Sequence, residues 1–348
     1  MKEKTKKIFV GISGGVDSSV VAYLLKKQGR DVHGVFVKTW SPEWMPCTWI
    51  DEKRDAMRVC AQLGVPFITI DAEKEYKESV GEYFINEYRA GRTPNPDVMC
   101  NREIKFGVFY QKARELGADY IATGHYAQSK NGKLLAGADK AKDQSYFLWT
   151  LTPEILEHTL FPVGHLEKSE VRKIAEKYNL PTAEKKDSQG VCFLGPIDMK
   201  EFLSHYIDKK PGNVLNLEGK IIGFHDGALF FTLGERHGFT ITEKGSDDDR
   251  LYVIDRDLER NTITVSSKTR GSTLSLKKEL KLESVNWILK PEEAKKYYAR
   301  IRYQQPLQSC VAQKNTVIFE TAQEFASPGQ SVVVYDGEVC LGGGIIAS

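Results

Sequence analysis

The chain has 348 residues, 41% apolar and 28% charged, and its 49 Lys and Arg against 47 Asp and Glu leave a net charge of +2. That is the make-up of a soluble globular protein with two or three domains. The charge is too even to argue for nucleic-acid binding by itself, and no run approaches the roughly 18 apolar residues of a membrane span. The opening "MKEKTKKIFVGISGG" has a basic lead but no apolar signal core. No cleaved targeting signal is read there, and a cytoplasmic protein is expected.

"KKIFVGIS" is a short apolar run ending in a Gly/Ser turn, and "DSSVVAYLLKKQG" follows with helical spacing and a closing Gly29. "DVHGVFVKTW" predicts a second strand, residues 51–64 a helix, and "PFITIDA" a third strand. Residues 75–90 predict a long helix. "PNPDVMC" then reads as an ordered turn, because two prolines and an Asn-Pro step break regular structure. Residues 102–116 predict another helix, and "ADYIATGHYA" a fourth strand ending in Thr-Gly-His. "SKNGKLLAGAD" reads as a hairpin on its Asn-Gly step. Residues 168–178 and 197–207 look helical.

Strands alternating with helices imply an α/β domain whose parallel sheet is covered on both faces. From "KPGNVLNLEGKIIG" onward, short strands and Gly turns dominate. They predict a small β-rich middle domain and a C-terminal β-barrel. The expected divisions are 1–205, 206–275 and 276–348.

"GISGGVDSS", residues 11–19, joins the first strand to the first helix. Gly14 and Gly15 let backbone N–H groups turn toward an anion. Ser13 and Ser18 add hydroxyls, and the helix N-terminus adds its positive end. The turn lacks the Gly-Lys-Ser/Thr ending of a Walker loop and the spacing of a dinucleotide fingerprint. A Gly-rich helix cap with Asp17 in its first turn is the alternative. The run resembles the pyrophosphate loop of the ATP pyrophosphatases, which split ATP between its α and β phosphates and adenylate an acceptor.

Six cysteines occur, at positions 47, 60, 100, 192, 310 and 340, with no Cys-x-x-Cys pair and no zinc-like spacing. Cys100 in "PNPDVMC" and Cys192 in "DSQGVCFLG" stand alone in polar segments, where a buried structural thiol is not expected. Two such thiols suit sulfur transfer, in which one carries a persulfide and the other attacks it. A zinc site joining both to His125 is the other chemistry weighed, and two unrelated surface thiols the bland one. Cys60, Cys310 and Cys340 sit in apolar patterns and read as packing. Cys47, in a polar Trp-rich loop, is weighed against catalysis.

Taken together, "GISGGVDSS", "TPNPDVMCNREIKF", "ATGHYA", "DQSYFL", "DSQGVCFLG" and "GEVCLGGGII" resemble, in order and across nearly the whole chain, the tRNA-specific 2-thiouridylases, the MnmA family. The resemblance implies an ATP-pyrophosphatase domain, then the two β domains, and ATP-dependent 2-thiolation of the wobble uridine of tRNA. It makes Cys192 the persulfide carrier, Cys100 the other catalytic cysteine and Asp97 an acid/base near the base. It implies ATP contacts at Gly11, Ile12, Ser13, Gly14, Gly15, Val16, Asp17, Ser18, Val37 and Gly124. It implies tRNA contacts at Asn95, Pro96, Asp97, His125, Lys142, Asp143, Gln144, Arg302, Tyr303 and Gln330.

ATP is the implied cofactor, with Mg²⁺ expected beside it and Asp17 a candidate to position the ion. No dedicated protein metal site is read. Implied partners are tRNAs for lysine, glutamate and glutamine and a sulfur donor, either a cysteine desulfurase or a relay protein. Two rival readings are another ATP pyrophosphatase acting on a small molecule and a nucleotide-binding RNA-binding protein without catalysis.

Overall fold

The computed structural model describes residues 5–45, 49–186, 199–243, 250–267 and 276–347. Its first sheet is wholly parallel. It contains β1 (Lys7–Gly11), β2 (Asp31–Lys38), β3 (Phe67–Asp71), β4 (Tyr120–Ala122) and β7 (Thr159–Leu160), in the order β3-β2-β1-β4-β7. Alternation along β1 sends Ile8 and Val10 to one core with the helix Val16–Lys27, and Phe9 to the other with Phe106 and Phe109. Both faces of the sheet are therefore covered, as parallel strands require. β7 is not anticipated by the sequence reading, since a two-residue strand shows no periodicity.

The reading of "PNPDVMC" as a turn needs correction. Asn95 caps a helix that begins at Pro96, its Oδ1 accepting from the Val98 N–H at 3.3 Å. Proline is suited to the first helical position, where its missing N–H costs nothing and its φ is already set. The helix runs through Pro96–Met99, widens over Cys100–Val108 into a π-helical stretch, and returns to α geometry at Phe109–Glu115. The Phe109 N–H reaches Ile104 O, five residues back. The predicted helix at 75–90 likewise holds a π stretch, Lys77–Gly81. π-bulges of this kind are frequent at functional sites.

The expected hairpin is present as β5 (Ala127–Lys130) and β6 (Lys133–Ala136), with Asn131 and Gly132 both at positive φ. Its placement is new. β6 pairs with a strand near the end of the chain, Leu134 opposite Cys340.

The middle sheet has the order β10-β9-β8-β12-β11, from β8 (Gly212–Leu215), β9 (Ile221–His225), β10 (Phe239–Ile241), β11 (Leu251–Asp257) and β12 (Thr262–Ser267). The last sheet contains β13 (Leu276–Trp287), β14 (Lys296–Arg300), β15 (Gln308–Gln313), β16 (Thr316–Glu324), β17 (Ser331–Asp336) and β18 (Val339–Ile346). β13 pairs with both β16 and β18, which closes these strands into a barrel with the β5–β6 hairpin appended. Closure removes the strand edges that would otherwise invite aggregation. Among the described residues, no helix is long and apolar enough to cross a membrane.

Candidate active site

The sheet order reverses between β1 and β4, and ligands of open parallel sheets bind outside the carboxyl ends of strands at such a point. The Gly11–Ser18 loop lies there. The Ile12 N–H donates to Val35 O at 2.7 Å, keeping the chain in the sheet one residue beyond β1. Gly14 then takes a φ of +74°, and a Cβ on it would stand 2.5 Å from the backbone oxygen of Glu52. No other residue fits on either count.

Gly15 is the extended cap of a twelve-residue helix that starts at Val16. Ser18 and Ser19 turn their hydroxyls back onto Gly15 O at 3.1 and 2.8 Å, and the Ser13 N–H donates to Ser18 Oγ at 3.3 Å. Ser13 remains exposed, its hydroxyl 3.4 Å from Ser18 Oγ. Gly124 follows β4, and a Cβ there would meet Ser18 N at 3.0 Å and Asp17 Cβ at 3.1 Å. Val37, half-buried near the end of β2, completes the row of candidate nucleotide positions.

Asp17 does not present a bare carboxylate. Lys168 Nζ lies 2.7 and 2.9 Å from its two oxygens, and the Tyr126 hydroxyl donates to Oδ1 at 2.7 Å. Lys168 and Tyr126 escaped the sequence reading, because 151 and 109 residues separate them from Asp17 and no local motif marks them. Their placement puts a cation at the mouth of the loop. Asp17 is accordingly a poor candidate to hold Mg²⁺. Among the described residues no cluster of three or more His, Cys, Asp or Glu could hold a metal.

The helix that begins at Pro96 packs beside this loop. A Cβ on Gly11 would touch the Phe109 ring at 3.3 Å. Asn101, next to Cys100, meets His125 Nε2 through its Oδ1 at 3.2 Å and donates its amide to Phe147 O at 3.1 Å. His125 Nδ1 contacts Thr123 Oγ1 at 2.8 Å. Cys100 is thus one residue from Asn101, His125 is one residue from Gly124, and Gly124 abuts the start of the loop helix. Asp97 is half-buried on the same first turn, while Pro96 and Cys100 are buried, the thiol residue being 3% exposed and in no disulfide.

His125 is held within the chain in this structure. It is buried with both ring nitrogens engaged, and burial, followed by the nearby charge of Lys105, holds its pKa well below the ordinary imidazole value. A neutral imidazole bound on both sides also has no nitrogen to give to zinc, which removes it from that alternative. Cys192, the rest of "DSQGVCFLG" and Cys47 lie outside the described residues. Cys60, Cys310 and Cys340 are buried packing residues, and burial pushes their thiols up to about 11, 12 and 12.

The other expected tRNA contacts are mostly drawn inward. Asp143 is buried against Arg300 at 2.6 Å and accepts from the N–H groups of Gly137 and Ser145 at 2.9 and 3.0 Å. Gln144 Oε1 accepts from the Tyr126 N–H at 3.0 Å. The Arg302 guanidinium donates to the carbonyls of Leu233 and Phe325 at 3.2 and 3.0 Å, and the Tyr303 ring lies tilted against Phe147 with centroids 4.6 Å apart. Gln330 Nε2 donates to Thr93 O at 2.7 Å. These groups face other parts of the chain, Asp143 and Arg302 through partners that include the barrel and the middle domain, Gln144, Tyr303 and Gln330 through partners in the first domain. Lys142 is half-buried at the end of the same segment.

Comparison with known proteins adds three findings. Residues 6–196 match the model described as "tRNA methyl transferase HUP domain", 200–267 the "tRNA methyl transferase PRC-barrel domain" and 277–346 the "Aminomethyltransferase beta-barrel domain". A tRNA-specific 2-thiouridylase MnmA of Halalkalibacterium halodurans is 47% identical, covering 99% of this chain and 95% of that protein. One from Geobacillus thermodenitrificans is 46% identical over 98% and 94%. A solved 4-thiouridine synthetase–RNA complex with bound ATP is 20% identical, covers 57% of this chain and 50% of its own, and has a TM-score of 0.39, too loose a likeness to carry an argument.

Proposed function

The chain belongs to the family of the tRNA-specific 2-thiouridylases, and from that premise we propose that it replaces the C2 oxygen of the wobble uridine in tRNA by sulfur, at the expense of ATP. Some of the matching family descriptions speak of methyl transfer, whereas the curated relatives speak of thiolation. The site favours the second. It sets a Gly/Ser phosphate turn beside a capped helix that carries a carboxylate and a cysteine. Methyl transfer does not ask for cleavage of ATP between its α and β phosphates.

Oxygen is a poor leaving group until it is activated. Attack of the uridine O2 on the α-phosphate forms the O2–P bond, breaks the bond to the β-phosphate oxygen and releases pyrophosphate. The loop backbone, the helix N-terminus and Lys168 would offset the departing charge. Mg²⁺ bound with the nucleotide would offset phosphate charge, held mainly by the phosphates themselves.

The terminal sulfur of a Cys192 persulfide then attacks C2, and the C2–O2 bond breaks to expel AMP. Cys100 attacks the Cys192 sulfur, so the S–S bond of the persulfide breaks and the sulfur stays on the base. The cysteine pair is oxidised to a disulfide by two electrons and a thiol reductant restores it. Alternatively, Cys100 releases hydrosulfide first and this attacks C2. Asp97, one helical turn before Cys100, is the group to move a proton at the base. A wobble base is unpaired, so it can be turned out of its stack into the pocket at modest cost. Lysine, glutamine and glutamate tRNAs are the proposed substrates, with sulfur from a desulfurase or a relay protein.

The observation that supports this reading is that Asn101, the neighbour of Cys100, bonds His125, whose neighbour Gly124 abuts the start of the loop helix, so the cysteine helix and the proposed nucleotide loop are tied together. It is tested by incubating the protein with ATP, unmodified tRNA and a persulfide source. 2-Thiouridine should appear together with AMP and pyrophosphate, and Cys100→Ser or Cys192→Ser should each abolish it. ATP cleavage without thiolated tRNA would favour a small-molecule pyrophosphatase, and tRNA binding without ATP cleavage a binding protein.

A further inference from the structure

The helix Lys168–Lys177 starts at the mouth of the phosphate turn, where Lys168 meets Asp17. Its buried residues Val171 and Ala175 share a core with Val20 and Val21 of the loop helix. One turn after Lys168, the Arg172 guanidinium reaches from this helix to the segment that follows it. Its Nη1 donates to Ala183 O at 3.0 Å and to Lys185 O at 2.6 Å. A terminal guanidinium nitrogen carries two N–H groups, so one atom can serve both carbonyls.

The same short segment is held twice more. Thr182 Oγ1 donates to Ser19 Oγ at 2.9 Å, both residues being buried. Ser19 Oγ in turn donates at 2.8 Å to the carbonyl of Gly15, the cap of the loop helix. Lys185 Nζ pairs with Asp55 at 2.8 Å, on the helix Trp49–Leu63, which also crowds Gly14 through the Glu52 carbonyl. That ion pair is the most open of the three holds and weighs least. Within the segment, the Ala183 N–H on Leu180 O at 2.9 Å and the Lys185 N–H on Thr182 O at 3.0 Å close two tight turns.

Cys192 follows Lys185 by seven residues. Seven residues span at most roughly 25 Å. The place where residues 182–185 are fastened therefore bounds where that thiol can go. We propose that Arg172 is a positioning residue for sulfur transfer: by holding the carbonyls of Ala183 and Lys185 it fixes, beside the phosphate turn, the point from which the chain leads on to Cys192. The inference deepens the thiolation reading and rests on it, since it takes Cys192 as the persulfide carrier. Without the guanidinium, both carbonyls must turn to water and the segment loosens from the helix. The hold plays no part in activating the uridine oxygen, so its loss should slow sulfur delivery and spare ATP cleavage.

The test uses the full chain with Arg172→Met, which keeps the apolar stem and removes the donors, and Arg172→Lys, which restores a donor at shorter reach. Should Arg172→Met fold poorly, Thr182→Val removes the neighbouring hold with little change of shape. Thermal melting checks folding. Three quantities are then compared: amide hydrogen exchange at residues 183–185, the pyrophosphate burst with ATP and tRNA before a persulfide source is added, and the rate of 2-thiouridine formation once it is. Arg172→Met should exchange several-fold faster, keep its burst rate within about 2-fold and lose about 10-fold in turnover, the scale of a misplaced reacting group. Arg172→Lys should recover most of that loss. Unchanged exchange overturns the anchoring role. Burst and turnover falling together would show general damage to the nucleotide site and overturn the positioning role, as would wild-type turnover in a loosened variant. A wild-type protein that gives neither burst nor 2-thiouridine sinks the thiolation reading and this inference with it, whereas each failure named before leaves that reading standing.

Discussion

Two polar segments, residues 11–18 and 143–149, look alike in sequence and do opposite things. Both set an aspartate and at least one serine next to apolar residues. In the first, glycines hold the chain open at the end of a strand, Ser13 stays exposed, and the aspartate pairs with a lysine at the mouth of the turn. In the second, every group is spent internally. Asp143 pairs with Arg300, Ser145 meets the Tyr335 hydroxyl at 3.1 Å, Tyr146 bonds the carbonyls of Ile301 and Ser331, and Trp149 bonds Ser331. From the other side Asn286 donates to Trp149 O and Leu151 O at 2.7 and 3.0 Å. The first segment is the one we propose for the nucleotide, and the second latches the first domain to the barrel. What separates them is the set of residues that arrives from far along the chain.

Removing the carboxylates breaks the comparison most sharply. Asp143→Ala strands the Arg300 guanidinium, whose side chain is 9% exposed, without its counter-charge. A loss of about 3–5 kcal/mol is expected in denaturant unfolding, because the orphaned charge stays buried. Asp17→Ala breaks a more open pair and should cost no more than about 1 kcal/mol. Equal small losses, with tRNA affinity falling only in Asp143→Ala, would return Asp143 to the tRNA surface.

Lys168→Met sharpens the same contrast at the nucleotide end. It removes a cation from the mouth of the loop without touching the latch. The KM for ATP should rise about 10-fold, roughly 1.4 kcal/mol, with the KM for tRNA unchanged. Steady-state thiolation with each substrate varied in turn checks this, and equal increases in both constants would argue against a phosphate role.

The smallest effect concerns the rivet between the two catalytic segments. His125 is buried and neutral, with its folded pKa below the unfolded value near 6.5. The unfolded chain therefore takes up the proton first as pH falls. Stability should be full above about pH 6.5 and decline below it, with a limiting slope of about 1.4 kcal/mol per pH unit from this group. His125→Gln should lower stability at pH 7.5 but flatten the acid limb of a pH series. Parallel acid limbs in wild type and variant would show that His125 does not carry it.

Much of this was legible from the sequence, for identifiable reasons. Parallel strands buried on both faces appear as short apolar runs, and glycine density exposes a phosphate turn. The helix start at Asn95-Pro96 is readable in principle, since Asn is a preferred cap and Pro suits the first helical position, but two prolines so close together also read as breakers. The Asn-Gly hairpin was visible, whereas its pairing with β18 was not, because no local signal names a partner two hundred residues away. The same holds for Arg300 on Asp143 and Lys168 on Asp17. The π stretch at Cys100–Val108 has no sequence signature, as its residues keep a helical apolar pattern.

The account's central claim is that the uridine oxygen is activated by ATP beside the Cys100 helix. It is tested most directly with tRNA carrying ¹⁸O at C2 of the target uridine. If O2 attacks the α-phosphate and leaves with it, the label must be recovered in the phosphate of AMP, one atom for each 2-thiouridine formed. AMP free of label, with thiolation proceeding, would contradict it.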